Sequence, residues 1–424
     1  MSGHIPSSLF AITSRKTITD ARLRHDPKGN VNDMTLAIVA PNFNQVSETF
    51  VIDHVRTLAP DNTVLVCDSG VGAESFGYPV LSHVKPELSG TGALDVRAKK
   101  ILTVLRNRLG PALALDNRMR VMAFFREHEV SVVLGEFGHS GAMMAEVCRD
   151  LGIPLYAFFR GNDASSMMRH APVRRQYRRM FSMASGIFCV SRYIADRIVA
   201  IGCPRELIHI MTDGVLLDRF VPGTPEPGRL LAVGRLVEKK APDLTLQAFA
   251  RVAATFPHAH LDMVGDGPLA SRCRAVIAEH GLQDRVTLHG ALGHQDVHAL
   301  MQRADMFVQH SVTAKNGDAE GFPTVIAEAM ASSVPVISTR HSGIPEHVRS
   351  GETGLLVEEH DVAGMAEAIA ALLSAPERSR TLGTNARNHA EKHLDRTQLL
   401  HNLRAVLKLP EPKAASQRRG GAPS

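Results

Sequence analysis

Short apolar runs alternate with amphipathic or polar stretches from Thr35 onward. They are TLAIVA, TVLVC, VSVVL, PLYAFF and GIFCV in the first half, then LLAVG, HLDMV, VTL, MFVQ, VPVIS and GLLV in the second. A strand that is apolar on both faces has to be covered on both, and helices between successive strands do this over a parallel sheet. The chain is therefore expected to be α/β. The alternation breaks between Arg219 and Gly228, where Pro222, Gly223, Pro225, Pro227 and Gly228 crowd together, and then starts afresh. This predicts two doubly wound, Rossmann-like domains facing a cleft, over residues 34–218 and 229–393, with a linker at 219–228. Residues 394–409 read as a C-terminal helix returning to the first domain. The polar segment 1–33 and the tail 410–424 are expected to be flexible.

With 424 residues, of which 44% are apolar and 21% charged, the chain exceeds one ordinary core and suits two. No run approaches the roughly 18 apolar residues of a spanning helix, and the start MSGHIPSSLF lacks the layout of a signal peptide. A cytoplasmic protein is expected. Cys67, Cys148, Cys189, Cys203 and Cys273 form no CxxC pair, so neither a disulfide framework nor a zinc site is suggested. The net charge of +5 comes without a basic tract interleaved with aromatics, which argues against nucleic acid and for an anionic small partner or membrane surface. There is no HExxH, GxSxG or GxGxxG, so hydrolytic and nicotinamide chemistry lack an anchor.

The densest motif is Glu320-Gly321-Phe322-Pro323-Thr324-Val325-Ile326-Ala327-Glu328. Pro323 suits a first helical turn, and Gly321 before it allows close approach of a ligand. A helix end aimed into the cleft offers unpaired amides and partial positive charge to a diphosphate. Glu328, about one and a half turns on, would reach ribose hydroxyls, and Glu320 would lie on the opposite side of the phosphates, where a donor sugar sits. A solvated Glu beside a turn and a surface Glu on a helix is the competing reading. In LAVGRLVEKKAP, Arg235 and Lys240 follow a strand end, the position of ligands in open parallel sheets; a plain solvated charge run competes. The turn around Gly265 and the loop with Gly290 and Leu292 share that address, although a tight turn explains the former equally well.

EGFPTVIAE after a VGRL-x-x-K loop and a VGDGP turn, over about Leu230 to Leu373, resembles the family 4 retaining glycosyltransferases of the GT-B fold. The resemblance implies that Glu320 contacts the donor sugar, Glu328 the ribose, and Arg235 with Lys240 the diphosphate of a nucleotide sugar. It also implies retention by front-face substitution, with no enzyme nucleophile. Ala241 departs from the family's usual glycine.

Ser47-Glu48-Thr49-Phe50 is similar to the exopolysaccharide and colanic-acid-type members, which points to polysaccharide assembly and a saccharide or lipid-linked acceptor; a helix cap at Ser47 explains it as well. Arg160 stands where a family turn commonly begins with histidine, and Asp163 either caps a helix or binds a hydroxyl. Glu48, Glu136, His139, Arg160 and Asp163 are the acceptor-side candidates, and the other histidines read as surface or core. The cationic loop makes a metal unnecessary, so neither metal nor other cofactor is expected. A nucleotide-sugar epimerase and a non-catalytic nucleotide-sugar-binding protein remain rivals, the former marked by donor turnover without acceptor. Two basic stretches, Arg97 to Arg108 and Arg169 to Arg179, suggest contact with an anionic membrane face.

Overall fold

The computed structural model describes residues 34–43, 48–84 and 115–411. The lead-in 1–33, residues 44–47 with Ser47, the basic stretch Arg97 to Arg108 and the tail from residue 412 lie outside them. Seven strands form the first sheet: β1 (Thr35–Val39), β2 (Thr63–Val66), β3 (Val80–Leu81), β4 (Val130–Gly135), β5 (Leu155–Phe159), β6 (Gly186–Cys189) and β7 (Ile208–Ile210). Six form the second: β8 (Arg229–Val233), β9 (His260–Val264), β10 (Val286–Gly290), β11 (Met306–Val308), β12 (Val336–Thr339) and β13 (Gly354–Val357). The orders are β3-β2-β1-β4-β5-β6-β7 and β10-β9-β8-β11-β12-β13, with every pairing parallel. The α/β architecture of two Rossmann-like sheets is the one the apolar runs predict, and each run lies on a strand. Strands β3 and β7 leave no apolar run in the sequence, because they are two and three residues long at a sheet edge and only partly buried.

Both sheets reverse order beside their first strand, between β1 and β4 and between β8 and β11. Successive connections leave in opposite directions there, and the loops at the carboxyl ends part to leave a crevice. One core surrounds the first sheet and includes Leu36, Leu134, Phe158 and Phe188; the second sheet is packed on its two faces by groups around Phe249 and Met263 and around Phe307 and Met330.

The helix Arg396–Leu407 places Leu403 and Leu407 in the core of the first lobe. The chain thus passes between lobes twice, and the two passages bond to each other: Val215 N–H donates to Leu394 O at 2.8 Å and Arg396 N–H to Val215 O at 3.0 Å. Arg396 holds this junction through the carbonyls of Asp213 and Gly214, at 3.0 and 2.8 Å, and an ion pair with Asp53.

Candidate active site

From β8 the chain runs through Gly234, Arg235 and Leu236 into a 3-10 turn at Glu238–Lys240, then the helix Pro242–Ala253. Between turn and helix stands Ala241 at φ 37°, ψ 54°. That left-handed conformation costs any residue with a Cβ and explains why glycine suits the position. Gly234 N–H donates to Val264 O, and Leu236 N–H to Asp266 O, each at 2.9 Å. A Cβ on Gly265 would lie 1.9 Å from Gly234 O. Gly265 therefore braces the cationic loop. Gly290 receives the amide of Gly265 on its carbonyl at 2.7 Å, while Leu292 packs against the core of the second lobe.

Lys240 Nζ stands 3.4 Å from Glu320 Oε1 and Lys239 Nζ 3.7 Å from the same oxygen; Lys239 is also 3.2 Å from Asp318 Oδ2. Burial works against the Glu320 charge, but Lys240 and Lys239 outweigh it and hold the carboxyl down at about 2. Burial lowers the Lys240 ammonium against the pull of Glu320. Oε1 of Glu320 is buried and faces the two ammonium groups, while Oε1 of Gln309 is buried and accepts no hydrogen bond among the described residues. Gln309 and Lys240 line one hollow with Gly234 and Arg235. Lys239 and Asp318 escaped as site residues because nothing in a KK pair or in the spacing Asp-x-Glu tells which groups turn inward.

The helix carrying Glu328 spans Thr324–Ala331, with Pro323 as its N-cap residue at φ −66°, ψ 119°, one place earlier than a first-turn proline. No side chain caps that end. Burial pushes the Glu328 carboxyl up to about 7, with Arg396 and Lys240 pulling the other way. Two members of the motif serve the protein itself. A Cβ on Gly321 would lie 1.8 Å from Arg160 O of the first lobe, so this glycine admits the opposite lobe. The ring of Phe322 is 8% exposed and packs in the core against His347, with ring centroids 4.5 Å apart.

On the first lobe, Glu136 is fully buried, binding His54 Nδ1 at 2.8 Å and Arg160 Nη2 at 3.0 Å. Arg160 further pairs with Asp213 at 3.1 Å and lies over the rings of Phe50 and Phe158, 3.8 and 4.1 Å from their centroids. Asp163 Oδ1 accepts the amides of Arg160, Gly161 and Ala164, each at 3.0 Å, and Oδ2 accepts Gly138 N–H at 2.9 Å. The polar atoms of these three acceptor-side candidates bond the loops that they join. His139 is half-buried, its ring stacked on Phe137 at 5.5 Å. Glu48 is half-buried at the start of the helix Thr49–Thr57; burial raises its carboxyl, and Arg160 and Arg235 pull it back. Arg235 is exposed, makes no ion pair among the described residues, and so brings its charge to bear on Glu48 from the opposite lobe.

The second basic stretch is bound within the molecule. Arg169 donates to Lys315 O at 3.2 Å, Arg174 to the carbonyls of Met168 and Arg169 at 2.6 and 2.9 Å, and Arg178 to Ile201 O at 2.8 Å, while Arg179 pairs with Glu146. These bonds give four of the arginines a structural task, while Arg169, Arg175, Arg178 and Arg179 are exposed. Among the described residues, no helix is long and apolar enough to cross a membrane.

Residues 48–219 match the model of Glycosyltransferase Family 4, and residues 217–389 that of Glycosyl transferases group 1. The putative colanic acid biosynthesis glycosyltransferase WcaL of Escherichia coli K12 is 34% identical over 247 residues, 57% of this chain and 61% of that protein. The amylovoran biosynthesis glycosyltransferase AmsK of Erwinia amylovora is 31% identical over 249 residues, 57% and 60% of the two chains. The chain thus spans about 60% of the length of these curated relatives. In fold it is similar to the crystal structure of Anabaena HepE in complex with UDP, with a TM-score of 0.72 at 18% identity over 88% of this chain and 100% of that one. With the two family models lying end to end over paired Rossmann-like sheets, the chain carries a Glycosyltransferase Family 4 domain followed by a Glycosyl transferases group 1 domain, in an architecture that matches GT-B structures.

Proposed function

We propose that this protein transfers a sugar from a nucleotide diphosphate sugar to a saccharide or lipid-linked acceptor, with retention of configuration, in the assembly of an exopolysaccharide or other cell-surface glycan. The observation that carries this reading is the convergence of Lys240, Lys239 and Glu320 with an uncapped helix end, at the carboxyl ends of β8 and β11. The diphosphate lies on the helix end and on Lys240 and Arg235. Its growing negative charge during departure is met by cations already in place, so no divalent ion is required. The ionised Glu320, held by Lys240 and Lys239, accepts hydrogen bonds from hydroxyls of the donor sugar on its remaining lone pairs. Glu328 takes the ribose hydroxyls. Glu48 faces the acceptor, beside the charge of Arg235. The names of the polysaccharide-assembling relatives support the product class.

The test begins with a panel of nucleotide sugars screened by thermal stabilisation, since a ligand that binds only the folded state raises its melting temperature. With the donor so found, replacing Glu320, Arg235 or Lys240 by alanine is expected to lower turnover by roughly a hundredfold. Transfer is also expected to survive exhaustive chelation. Near-normal rates in all three variants, or a strict requirement for added magnesium or manganese, would overturn the assignment.

A further inference from the structure

His341 lies just beyond β12, 1% exposed, between the loop that carries Glu320 and the segment that follows β13. The amide of Glu320 donates to His341 Nε2 at 3.1 Å, which requires that nitrogen to present a lone pair. The ring proton therefore resides on Nδ1, 2.6 Å from Glu359 Oε1. Glu359 is itself fixed: Thr313 N–H donates to Oε2 at 2.8 Å and the Thr313 hydroxyl to Oε1 at 3.3 Å. Burial would raise the Glu359 carboxyl, but the bonds from His341 and Thr313 win and keep it below the ordinary carboxylate range. The next residue, Ser342, donates from its hydroxyl to the carbonyl of Glu320, and Gly343 N–H donates to Gly321 O at 2.9 Å. Ser342 adopts φ 53°, a left-handed conformation that lets adjacent residues grip both polar groups of Glu320's backbone.

We propose that His341 is a positioning residue for Glu320, locked by Glu359 in the Nδ1–H tautomer so that its bare Nε2 fixes the Glu320 peptide and aims the carboxylate at Lys240. The proposal rests on the reading of Glu320 as the contact to the donor sugar. A side chain that only filled this space would need no polar atom, yet His341 uses both nitrogens, one toward Glu320 and one toward a second anchor. The orientation of a carboxylate beside a reacting centre has to hold to a fraction of an ångström, and a buried dyad of this kind supplies such rigidity.

The experiment compares His341→Leu, Glu359→Leu, His341→Gln and Glu320→Gln in the full chain. Release of nucleotide is followed from UDP-glucose and from GDP-mannose, and binding of UDP and GDP by calorimetry. His341→Leu is expected to lower kcat by about tenfold or more with nucleotide affinity little changed, because Glu328 and the helix end are untouched. Glu359→Leu should follow in the same direction. His341→Gln, whose amide oxygen can replace Nε2 as acceptor, should recover most of the loss. Nitrogen NMR of the unmodified protein, labelled at histidine, adds a readout that needs no donor: His341 should show a protonated Nδ1 and an unprotonated Nε2. The opposite tautomer, or a His341→Leu variant with full kcat beside an impaired Glu320→Gln, would sink the proposal. Full kcat in Glu320→Gln would instead remove the underlying site reading.

Discussion

Glu328 holds a carboxyl that burial keeps protonated up to about pH 7, against the attraction of Arg396 and Lys240. In the proposed role of Glu328, ribose hydroxyls donate best to the ionised form, so binding favours loss of the proton. Nucleotide affinity is therefore expected to rise as pH climbs through about 7 and then level off, and Glu328→Gln should flatten that dependence; calorimetric titrations at several pH values check it. The same raised value bears on stability. The folded chain holds this proton more tightly than the unfolded one, so the group's favourable contribution is complete below its ordinary value of 4.5 and is lost as pH rises towards 7. Glu328→Gln should then raise the melting temperature at pH 8 more than at pH 4. Ala241 is a second locally unfavourable residue. Its φ of 37° is open to glycine at no steric cost, and Ala241→Gly is expected to stabilise the protein by about 0.5–1 kcal/mol. Unchanged denaturant midpoints would show that the neighbouring bonds already relieve the strain.

Among the loops at the strand ends, Asp163 holds the frame. Its two oxygens join the loop after β5 to the start of the helix Gly138–Leu151, through four backbone amides. Asp163→Asn turns one acceptor into a donor among those amides, and a loss on the order of 2 kcal/mol in stability is expected. Nucleotide affinity, which the proposed donor site assigns to the other lobe, should stay as it was. Loss of transfer with undiminished stability would restore Asp163 as an acceptor contact. The strands were legible because a parallel sheet writes itself as apolar runs, and the Glu320 to Glu328 helix because proline, glycine and spaced carboxylates mark a helix start. The roles of Gly321, Arg160 and Glu136 were not. Each depends on a neighbour far along the chain, Arg160 O against Gly321 for instance, and local composition carries no trace of such a contact. His341 was hidden for the same reason, since its partners Glu320 and Glu359 lie 21 and 18 residues away.

The two lobes meet on one side of the cleft through several close contacts. Ala319 N–H donates to Ser165 Oγ at 3.2 Å, and a Cβ on Gly343 would come within 2.6 Å of Ser191 Cβ. Glu346 of the second lobe reaches the start of the helix Arg192–Ala200 in the first, accepting the amides of Arg192 at 2.9 Å and Tyr193 at 3.2 Å. A carboxylate at a helix N-terminus gains from both the hydrogen bonds and the helix dipole, and here the pairing exists only while the lobes are together. Removing it should cost about 2 kcal/mol of closure, a shift of some thirtyfold towards the open form. Glu346→Ala is therefore expected to enlarge the radius of gyration in solution scattering and to slow transfer. Nucleotide affinity should be preserved, because Lys240, Glu328 and the helix end all lie on one lobe. Glu346→Gln, which keeps one accepting oxygen, should fall between. A Glu346→Ala protein with the original radius and full turnover would show that the remaining contacts close the cleft by themselves.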